Sequence, residues 1–117
     1  VKETKVKPVE PDILIRDEFP LADYGIDGSV IHTPGHTSGS LAVILEGTSA
    51  IVGDTIMKLP LVSKGSYRPV IGQDLEQVYR SWRKILDTGV ETIHTAHGKP
   101  IPASQIEKEL SEYPGRP

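Results

Sequence analysis

The chain has 117 residues, enough for one domain with a modest core. Its hydrophobic content is 37%, its charged content is 25% and its formal charge is -3. This composition lacks the excess of basic residues that nucleic-acid binding needs. No apolar run approaches the roughly 20 residues of a membrane span. There is no cysteine, so disulfides and thiolate metal sites are excluded and any metal must be held by histidine and carboxylate. We expect a cytoplasmic protein.

The N-terminal quarter of the chain predicts little regular structure. Residues 1–12 alternate charged with small apolar residues and contain two prolines, which favours a linker or an edge strand over a helix. Ile13–Ile15 is a β-prone triplet, and residues 24–29 have the glycine and aspartate chemistry of a turn. Val30–His32 predicts a short strand. Because the chain opens with valine rather than methionine, we expect a processed, truncated or excised piece.

A hydrophobic hairpin follows. Ser40–Leu45 is apolar on both alternating faces, which predicts a strand covered on both sides. Glu46–Thr48 predicts a hairpin turn, and Ala50–Val52 is the return strand. Gly53 and Asp54 end that strand.

Residues 55–72 mix prolines and glycines with scattered apolar residues. A connection longer than about 12–15 residues without regular structure is uncommon unless it is functional or disordered. We therefore expect a functional loop. Four of its side chains, Lys58, Lys64, Tyr67 and Arg68, are candidates for binding an anionic substrate, although we favour an ordinary solvated loop.

The clearest predicted element is a helix over Asp74–Leu86. Its apolar residues recur at helical spacing and form one stripe. These are Leu75, Val78, Tyr79, Trp82, Ile85 and Leu86. Asp74 is a suitable cap with Gln77 at the reciprocal position, and Gly89 suits the C-terminal exit.

The last part of the chain predicts a strand and a closing helix. Thr92–Thr95 reads as a short strand. Ser104 and Glu107 have the spacing of a capping box, which predicts a helix that begins at Ser104 and runs to Tyr113. Residues 114–117 are a tail.

Two histidines and an aspartate lie just beyond predicted strands. His36 is four residues after His32, but Pro34 between them makes a shared helix face implausible. Asp54 and His97 each follow an apolar strand closely. Because strand-end loops often present ligands and catalytic groups, His36, Asp54 and His97 are candidate metal ligands.

Each candidate also has an ordinary explanation. A single histidine near a strand end is more often a hydrogen-bonding residue than a ligand. Asp54 after a glycine can serve a turn alone. For His94, inside a strand pattern, we favour the structural role. The three candidates together raise the odds of a metal site.

The order of three motifs resembles a known family. HTPGHTSGS at residues 32–40 is followed by a hairpin that ends in GDT at 53–55, and then by TAHGKP at 95–100. This order resembles the C-terminal half of a metallo-β-lactamase-fold hydrolase, from about Asp12 to about Leu110. The resemblance implies an α+β fold in residues 13–113. It would be half of an αββα sandwich, with a mostly antiparallel sheet and both helices on one face.

The resemblance also implies a two-metal site. His36 would bind the first metal, Asp54 would bridge both and His97 would bind the second, although Ala96 stands where the family often has glycine. The family's H-x-H-x-D-H loop, which supplies the other ligands, is absent from this sequence. Each metal is left with two protein donors, whereas catalytic zinc normally has three. We therefore expect this chain alone to bind metal weakly if at all. Zinc is the expected metal, and iron or manganese is also compatible with these ligands.

The function implied by the resemblance is metal-dependent hydrolysis of a small-molecule ester, thioester, lactone or phosphodiester by an activated water. Without the other half, this chain alone should be inactive. An orphaned half exposes a large apolar face, so we expect a partner, either the missing half or a second copy of this chain. The alternative is a non-catalytic interaction domain that keeps the scaffold. Neither nucleic acid nor membrane is an expected partner.

Overall fold

A computed structural model of the chain describes residues 7–57, 66–69 and 74–113. Within these ranges, six strands form one sheet in sequential order, and two α-helices follow the fourth and sixth strands. The elements are β1 (Glu18–Pro20), β2 (Gly28–His32), β3 (Leu41–Leu45), β4 (Ser49–Gly53), α1 (Leu75–Leu86), β5 (Thr92–Thr95), β6 (Ile101–Pro102) and α2 (Ala103–Glu112). Neighbouring strands are antiparallel except β4 and β5, which are parallel. The predicted α+β fold with a mostly antiparallel sheet is confirmed.

Both helices pack on one face of the sheet. Alternate strand residues point to that face and join the inward stripes of α1 and α2 in one hydrophobic cluster. Its fully buried members include Trp82 and Ile85 from α1, Ile106 from α2 and Ile93 from β5. The periodic stripe that predicted α1 is therefore the stripe that is buried.

The opposite sheet face is apolar and largely open. In β3, Ala42 and Ile44 on the helix side are buried, whereas Leu41 on the other side is 40% exposed. Ile51 of β4 lies on the same open face and is 46% exposed. A shallow groove of about 640 Å³ runs past Ile51 and His94. The prediction that Ser40–Leu45 is covered on both sides was therefore wrong for this chain, because nothing in the described ranges packs on the second face.

The first strand is not where the β-prone triplet predicted it. Ile13–Ile15 forms no strand; Glu18–Pro20 pairs with β2 instead. The reason is the turn that follows, a 3₁₀ helix at Ala22–Tyr24 closed by a hydrogen bond from Leu21 N–H to Gly28 O (2.9 Å). That turn places Glu18–Pro20, which lie just before it, in register with β2. It also starts β2 at Gly28, inside the predicted turn.

The caps of α1 follow the sequence. The Asp74 carboxylate accepts a hydrogen bond from Gln77 N–H (3.1 Å), as the cap prediction requires. The helix ends at Leu86, and Gly89 takes a left-handed conformation (φ 86°) as the chain turns away.

The capping box predicted for α2 was wrong. The helix begins at Ala103, with Pro102 as its N-cap and no side-chain capping bond, so Ser104 lies inside the first turn. Glu107 instead binds Arg83 of α1, with 2.5 Å between Nη2 and Oε2. No helix in the described part of the chain is long and apolar enough to cross a membrane.

The segment before β1 is tied to α1 by one ion pair. Lys84 Nζ donates to Asp17 Oδ1 at 2.7 Å and to the carbonyl oxygen of His32 at 3.0 Å. The hydrogen bond and the charge of Lys84 lower the pKa of Asp17 from its usual 3.8. Because the folded-state pKa is depressed, the pair contributes stability above pH 3.8, and this contribution is lost as pH falls through the folded-state pKa.

We predict that Lys84→Gln returns the Asp17 pKa towards 3.8, because the variant removes the cation. A carboxyl ¹³C titration by NMR measures this pKa directly. Lys108→Gln, on an exposed position of α2, is the control and should leave the Asp17 pKa unchanged. An Asp17 pKa that is the same in wild type and Lys84→Gln contradicts the assignment.

Candidate metal centre

The loop that carries His36 is pressed against the start of α1 by a glycine. Gly35 has φ 135°, and a Cβ at this position would lie 2.5 Å from the Val78 backbone nitrogen. Its carbonyl oxygen accepts a hydrogen bond from Asp74 N–H at 3.1 Å. Only glycine allows this close approach, which fixes the backbone next to His36.

The same loop is closed on itself. Thr33 N–H donates to Ser40 O at 2.8 Å, and the hydroxyls of Thr37 and Ser40 are 2.7 Å apart. These bonds make residues 33–40 a compact turn rather than an open connection. His36 is therefore presented from a constrained loop, and its side chain is 21% exposed.

Asp54 follows β4 through a left-handed glycine, Gly53 (φ 58°). The next residue, Thr55, is fully buried, and its carbonyl oxygen accepts a hydrogen bond from the Trp82 indole (2.8 Å). The Thr55 hydroxyl reaches the carbonyl oxygen of Thr33 at 3.5 Å. The Asp54 turn is thus anchored in the core while its carboxylate lies at the edge.

His97 reaches the same edge because β4 and β5 are parallel, so their C-terminal ends lie side by side. Ala96 N–H donates to Gly53 O at 3.2 Å and continues the pairing beyond the strands. The His97 side chain is 55% exposed, the most exposed of the three candidate ligands.

The three predicted side chains lie together, with the carboxylate in the middle. His36 Nε2 is 3.8 Å from Asp54 Oδ2, and His97 Nε2 is 3.4 Å from Asp54 Oδ1. Over residues 7–57, 66–69 and 74–113, however, no three His, Cys, Asp or Glu side chains form a group that could hold one metal ion. Both findings fit one geometry, in which each carboxylate oxygen faces a different imidazole. The arrangement offers two pairs of donors.

The donor set suits a metal. Asp54 Oδ1 is buried and accepts no hydrogen bond from any group that the structure describes, and such an orphaned carboxylate oxygen is costly without a cation. Two ligands on one tetrahedral zinc ion are separated by roughly 3.3–3.5 Å, given metal–ligand distances near 2.0–2.2 Å. The 3.4 Å separation at His97 matches this value, and the 3.8 Å at His36 is somewhat wider.

The other two histidines take part in structure. His32 ends β2, and its Nε2 lies 2.7 Å from the carbonyl oxygen of Ser38, which braces the His36 loop. His94 is in β5 on the open sheet face, beside the groove. The four histidines of the chain therefore divide into two at the candidate site and two elsewhere.

Two of the four candidate substrate-binding residues, Tyr67 and Arg68, lie within the described ranges. Lys58 and Lys64 lie outside the described residues. The Tyr67 hydroxyl donates to Gln105 and the Tyr67 N–H donates to Glu109 (2.8 Å), so this residue is attached to α2. Arg68 is exposed. A role in substrate binding stays a prediction for all four.

Sequence reasoning missed the polar groups that hold the loops carrying His36 and Asp54. Ser81 of α1 is buried and donates to the carbonyl oxygen of Pro34 at 2.7 Å. A signal was present, because Ser81 lies three residues after Val78 and four before Ile85, on the apolar stripe. A serine on a buried face must find a hydrogen-bond partner.

Comparisons with known proteins identify the fold. No family model matches the chain, and no curated protein does. Solved structures match: an archaeal metallo-β-lactamase superfamily protein from Sulfolobus tokodaii has TM-score 0.56 and 18% identity over 73% of this chain. VMB-1 has TM-score 0.62 and 16% identity over 82%, and a metallo-β-lactamase family protein from Thermus thermophilus has 0.61 and 26% over 90%.

The match covers only part of each relative. The chain corresponds to 33% of the Sulfolobus protein, 43% of VMB-1 and 36% of the Thermus protein. The resemblance read from the motifs is therefore confirmed, and the chain has the fold of a partial metallo-β-lactamase domain.

We predict that Gly35→Ala destabilises the chain by about 2 kcal/mol or more, because it adds both a steric overlap and a strained backbone. Gly39→Ala is the matched control in the same loop. Its added Cβ would meet no atom within 4 Å, so its effect should stay within about 0.5 kcal/mol. Urea unfolding measures both variants, and similar losses for the two would refute the packing of Gly35 on α1.

Proposed function

We propose that this chain, which has part of the metallo-β-lactamase fold, carries half of the metal site of a metal-dependent hydrolase. The observation that supports this most directly is the position of the Asp54 carboxylate between two imidazoles, at 3.8 Å from His36 and 3.4 Å from His97. The burial of Asp54 Oδ1, which accepts no hydrogen bond from the described residues, adds to it.

The residues that would hold the metals are His36 for one ion, His97 for a second, and Asp54 as the bridge. Zinc suits imidazole and carboxylate donors, and iron or manganese is the alternative. Zinc bound there would supply Lewis acidity and lower the pKa of a bound water towards about 7.

The chain's own contribution is to hold these groups rigidly. The backbone bonds around Gly35 and Gly53 orient the His36 and Asp54 loops before any ligand arrives. A carboxylate in this position would also attract both cations and reduce the repulsion between them. Preorganised donors of this kind lower the cost of ordering the site.

We place the substrate in the class of small molecules with an ester, thioester, lactone or phosphodiester bond. Arg68 and Tyr67, together with Lys58 and Lys64, are the proposed contacts for an anionic group of that substrate. The loop that contains them begins just after Thr55, at the end of the Asp54 turn. The net charge of -3 argues against a nucleic-acid partner. A cytoplasmic location stays part of the proposal.

Activity requires a partner that supplies more ligands, because two protein donors per ion fall short of the usual three. The apolar sheet face around Leu41 and Ile51 is the proposed contact surface. The partner would be the rest of the domain or a second copy of this chain.

The same face supports a second candidate function. A non-catalytic domain could keep the scaffold and use the apolar face to bind another protein, and the small number of donors per ion favours this reading. Assays on generic esters and phosphodiesters with zinc or manganese separate the two functions only when the assayed protein includes all the ligands.

We predict that the chain binds zinc weakly and through the two proposed histidines. His36→Ala and His97→Ala should each weaken zinc binding by at least about tenfold. Even residues that only orient a ligand through a hydrogen bond change metal affinity by about 10- to 100-fold. The measurement is an NMR-monitored zinc titration, with chemical shifts followed at every histidine.

His94→Ala is the matched control, since it removes an imidazole that lies on the open sheet face. It should leave zinc binding unchanged. Tight stoichiometric binding by the wild-type chain would contradict the two-donor count. An equal loss of affinity in all three variants would contradict the choice of ligands.

We predict that Ile51→Lys prevents self-association through the open face while leaving the unfolding free energy within about 0.5 kcal/mol of wild type, because surface substitutions are usually nearly neutral. Ile13→Lys is the control, since Ile13 has a similar exposure (43% against 46%) but lies outside the sheet. Sedimentation velocity over a range of concentrations distinguishes them. A wild-type chain that stays monomeric throughout excludes the second copy as partner.

A further inference from the structure

One face of α1 donates hydrogen bonds along the loop that carries His36. Lys84 Nζ donates to His32 O at 3.0 Å, Ser81 Oγ to Pro34 O at 2.7 Å, and Asp74 N–H to Gly35 O at 3.1 Å. The side chains of Ser81 and Lys84 are three residues apart and share one side of the helix, and Asp74 is its N-cap. The segment from His32 to Gly35 therefore runs antiparallel to α1, and three of its four residues accept a hydrogen bond from the helix or its N-cap.

Ser81 is the buried member of this series, with 3% exposure. A serine within a helix usually bonds a carbonyl of its own preceding turn, but this hydroxyl donates to Pro34, 47 positions away. Alanine would favour the helix more and would leave the Pro34 carbonyl without this donor. The hydroxyl thus serves the loop rather than the helix.

The next residue, Trp82, holds the second ligand loop. It is fully buried, its ring meets that of Tyr79 edge-on at 4.9 Å, and its indole N–H donates to Thr55 O at 2.8 Å. Successive helix residues point about 100° apart, so Ser81 and Trp82 reach different loops from one point on the helix. One loop carries His36 and the other carries Asp54.

The direct link between the two loops is weaker. The Thr55 hydroxyl lies 3.5 Å from Thr33 O, at the limit of a hydrogen bond. The Thr33 hydroxyl is buried and makes no hydrogen bond in the described part of the chain. The relative position of the loops therefore depends mainly on the helix to which both are attached.

We propose that Ser81 and Trp82 are positioning residues of the metal centre, and that they set the separation of the His36 and Asp54 side chains. This inference rests on the proposed function. Ligand geometry is sensitive to displacements of about 0.5 Å, so releasing either loop should weaken metal binding without removing a ligand.

The first arm of the test needs no metal. In Ser81→Ala, amide hydrogen exchange of Gly35, whose N–H bonds Thr37 O (3.1 Å), should be about fivefold faster. Exchange at Thr55, whose N–H bonds Val52 O (3.3 Å), should stay unchanged. Trp82→Phe should give the reverse pattern.

The controls change one helical serine and one buried core residue away from the two loops. Ser111→Ala removes a helical serine hydroxyl that bonds a backbone carbonyl, Lys108 O at 2.7 Å, on α2. Ile106→Val trims a fully buried residue of α2. Neither should speed exchange at Gly35 or Thr55 selectively. Ser81→Thr restores a hydroxyl and should restore protection at Gly35.

The second arm uses cobalt(II) as the probe, followed by its visible absorption. Ser81→Ala and Trp82→Phe should each weaken cobalt binding by about tenfold, as for residues that orient ligands, while Ser111→Ala binds like wild type. Unchanged affinity in both variants overturns the proposal, as does an equal exchange increase in both loops. If Trp82→Phe does not fold, the comparison of Ser81→Ala, Ser81→Thr and Ser111→Ala decides alone.

The two arms separate this inference from the proposed function. A wild-type chain that binds no cobalt refutes metal binding by this chain alone, and the exchange patterns of the first arm then decide whether Ser81 and Trp82 position the two loops. A chain that binds cobalt with the same affinity in every variant leaves the metal site standing and refutes only the role of Ser81 and Trp82.

Discussion

The attachment of α1 to the sheet is the constraint on which the rest of the structure depends. Trp82 fills the centre of the core, and its indole N–H satisfies the carbonyl of Thr55 in the same buried place. A buried aromatic side chain of this size contributes more to packing than any other residue type. The one polar atom of Trp82 is directed to the Asp54 turn. The same residue therefore packs the core and positions the turn that carries a candidate ligand.

The change of strand direction between β4 and β5 places His97, the remaining candidate ligand. An antiparallel pair would put the end of one strand beside the start of the next, so Asp54 and His97 would lie at opposite edges of the sheet. The parallel pair, with α1 between its strands in sequence, brings both to one edge, and the Ala96–Gly53 hydrogen bond continues the alignment. The site thus depends on α1 twice, as the connection between the strands and as the support of the loops.

Sequence patterns predicted the elements whose signal is long and repeated. The apolar stripe of α1, its Asp74 cap and the hairpin around Gly47 all follow from local chemistry. The same patterns failed where tertiary contacts decide. The first strand is Glu18–Pro20 rather than Ile13–Ile15, and Glu107 pairs with α1 instead of capping α2. The strand β6 has two residues and no period to detect. For the site, strand-end positions and motif order indicated which side chains converge. The hydrogen bond of Ser81 required the fold, since its partner is 47 positions away.

Under the proposed function, one partner would both cover the open sheet face and supply the ligands that each ion lacks. Leu41 and Ile51 are partly exposed on the face opposite the helices, and the ligand loops lie at the end of the same strands. A partner that covers this face would gain hydrophobic free energy from the buried area, at roughly 25 cal/mol per Å². That free energy could position additional ligands beside Asp54, whose turn α1 already anchors through the carbonyl of Thr55. Under the proposed function, metal affinity and docking are therefore linked, because each ion that gains a third donor also stabilises the bound partner.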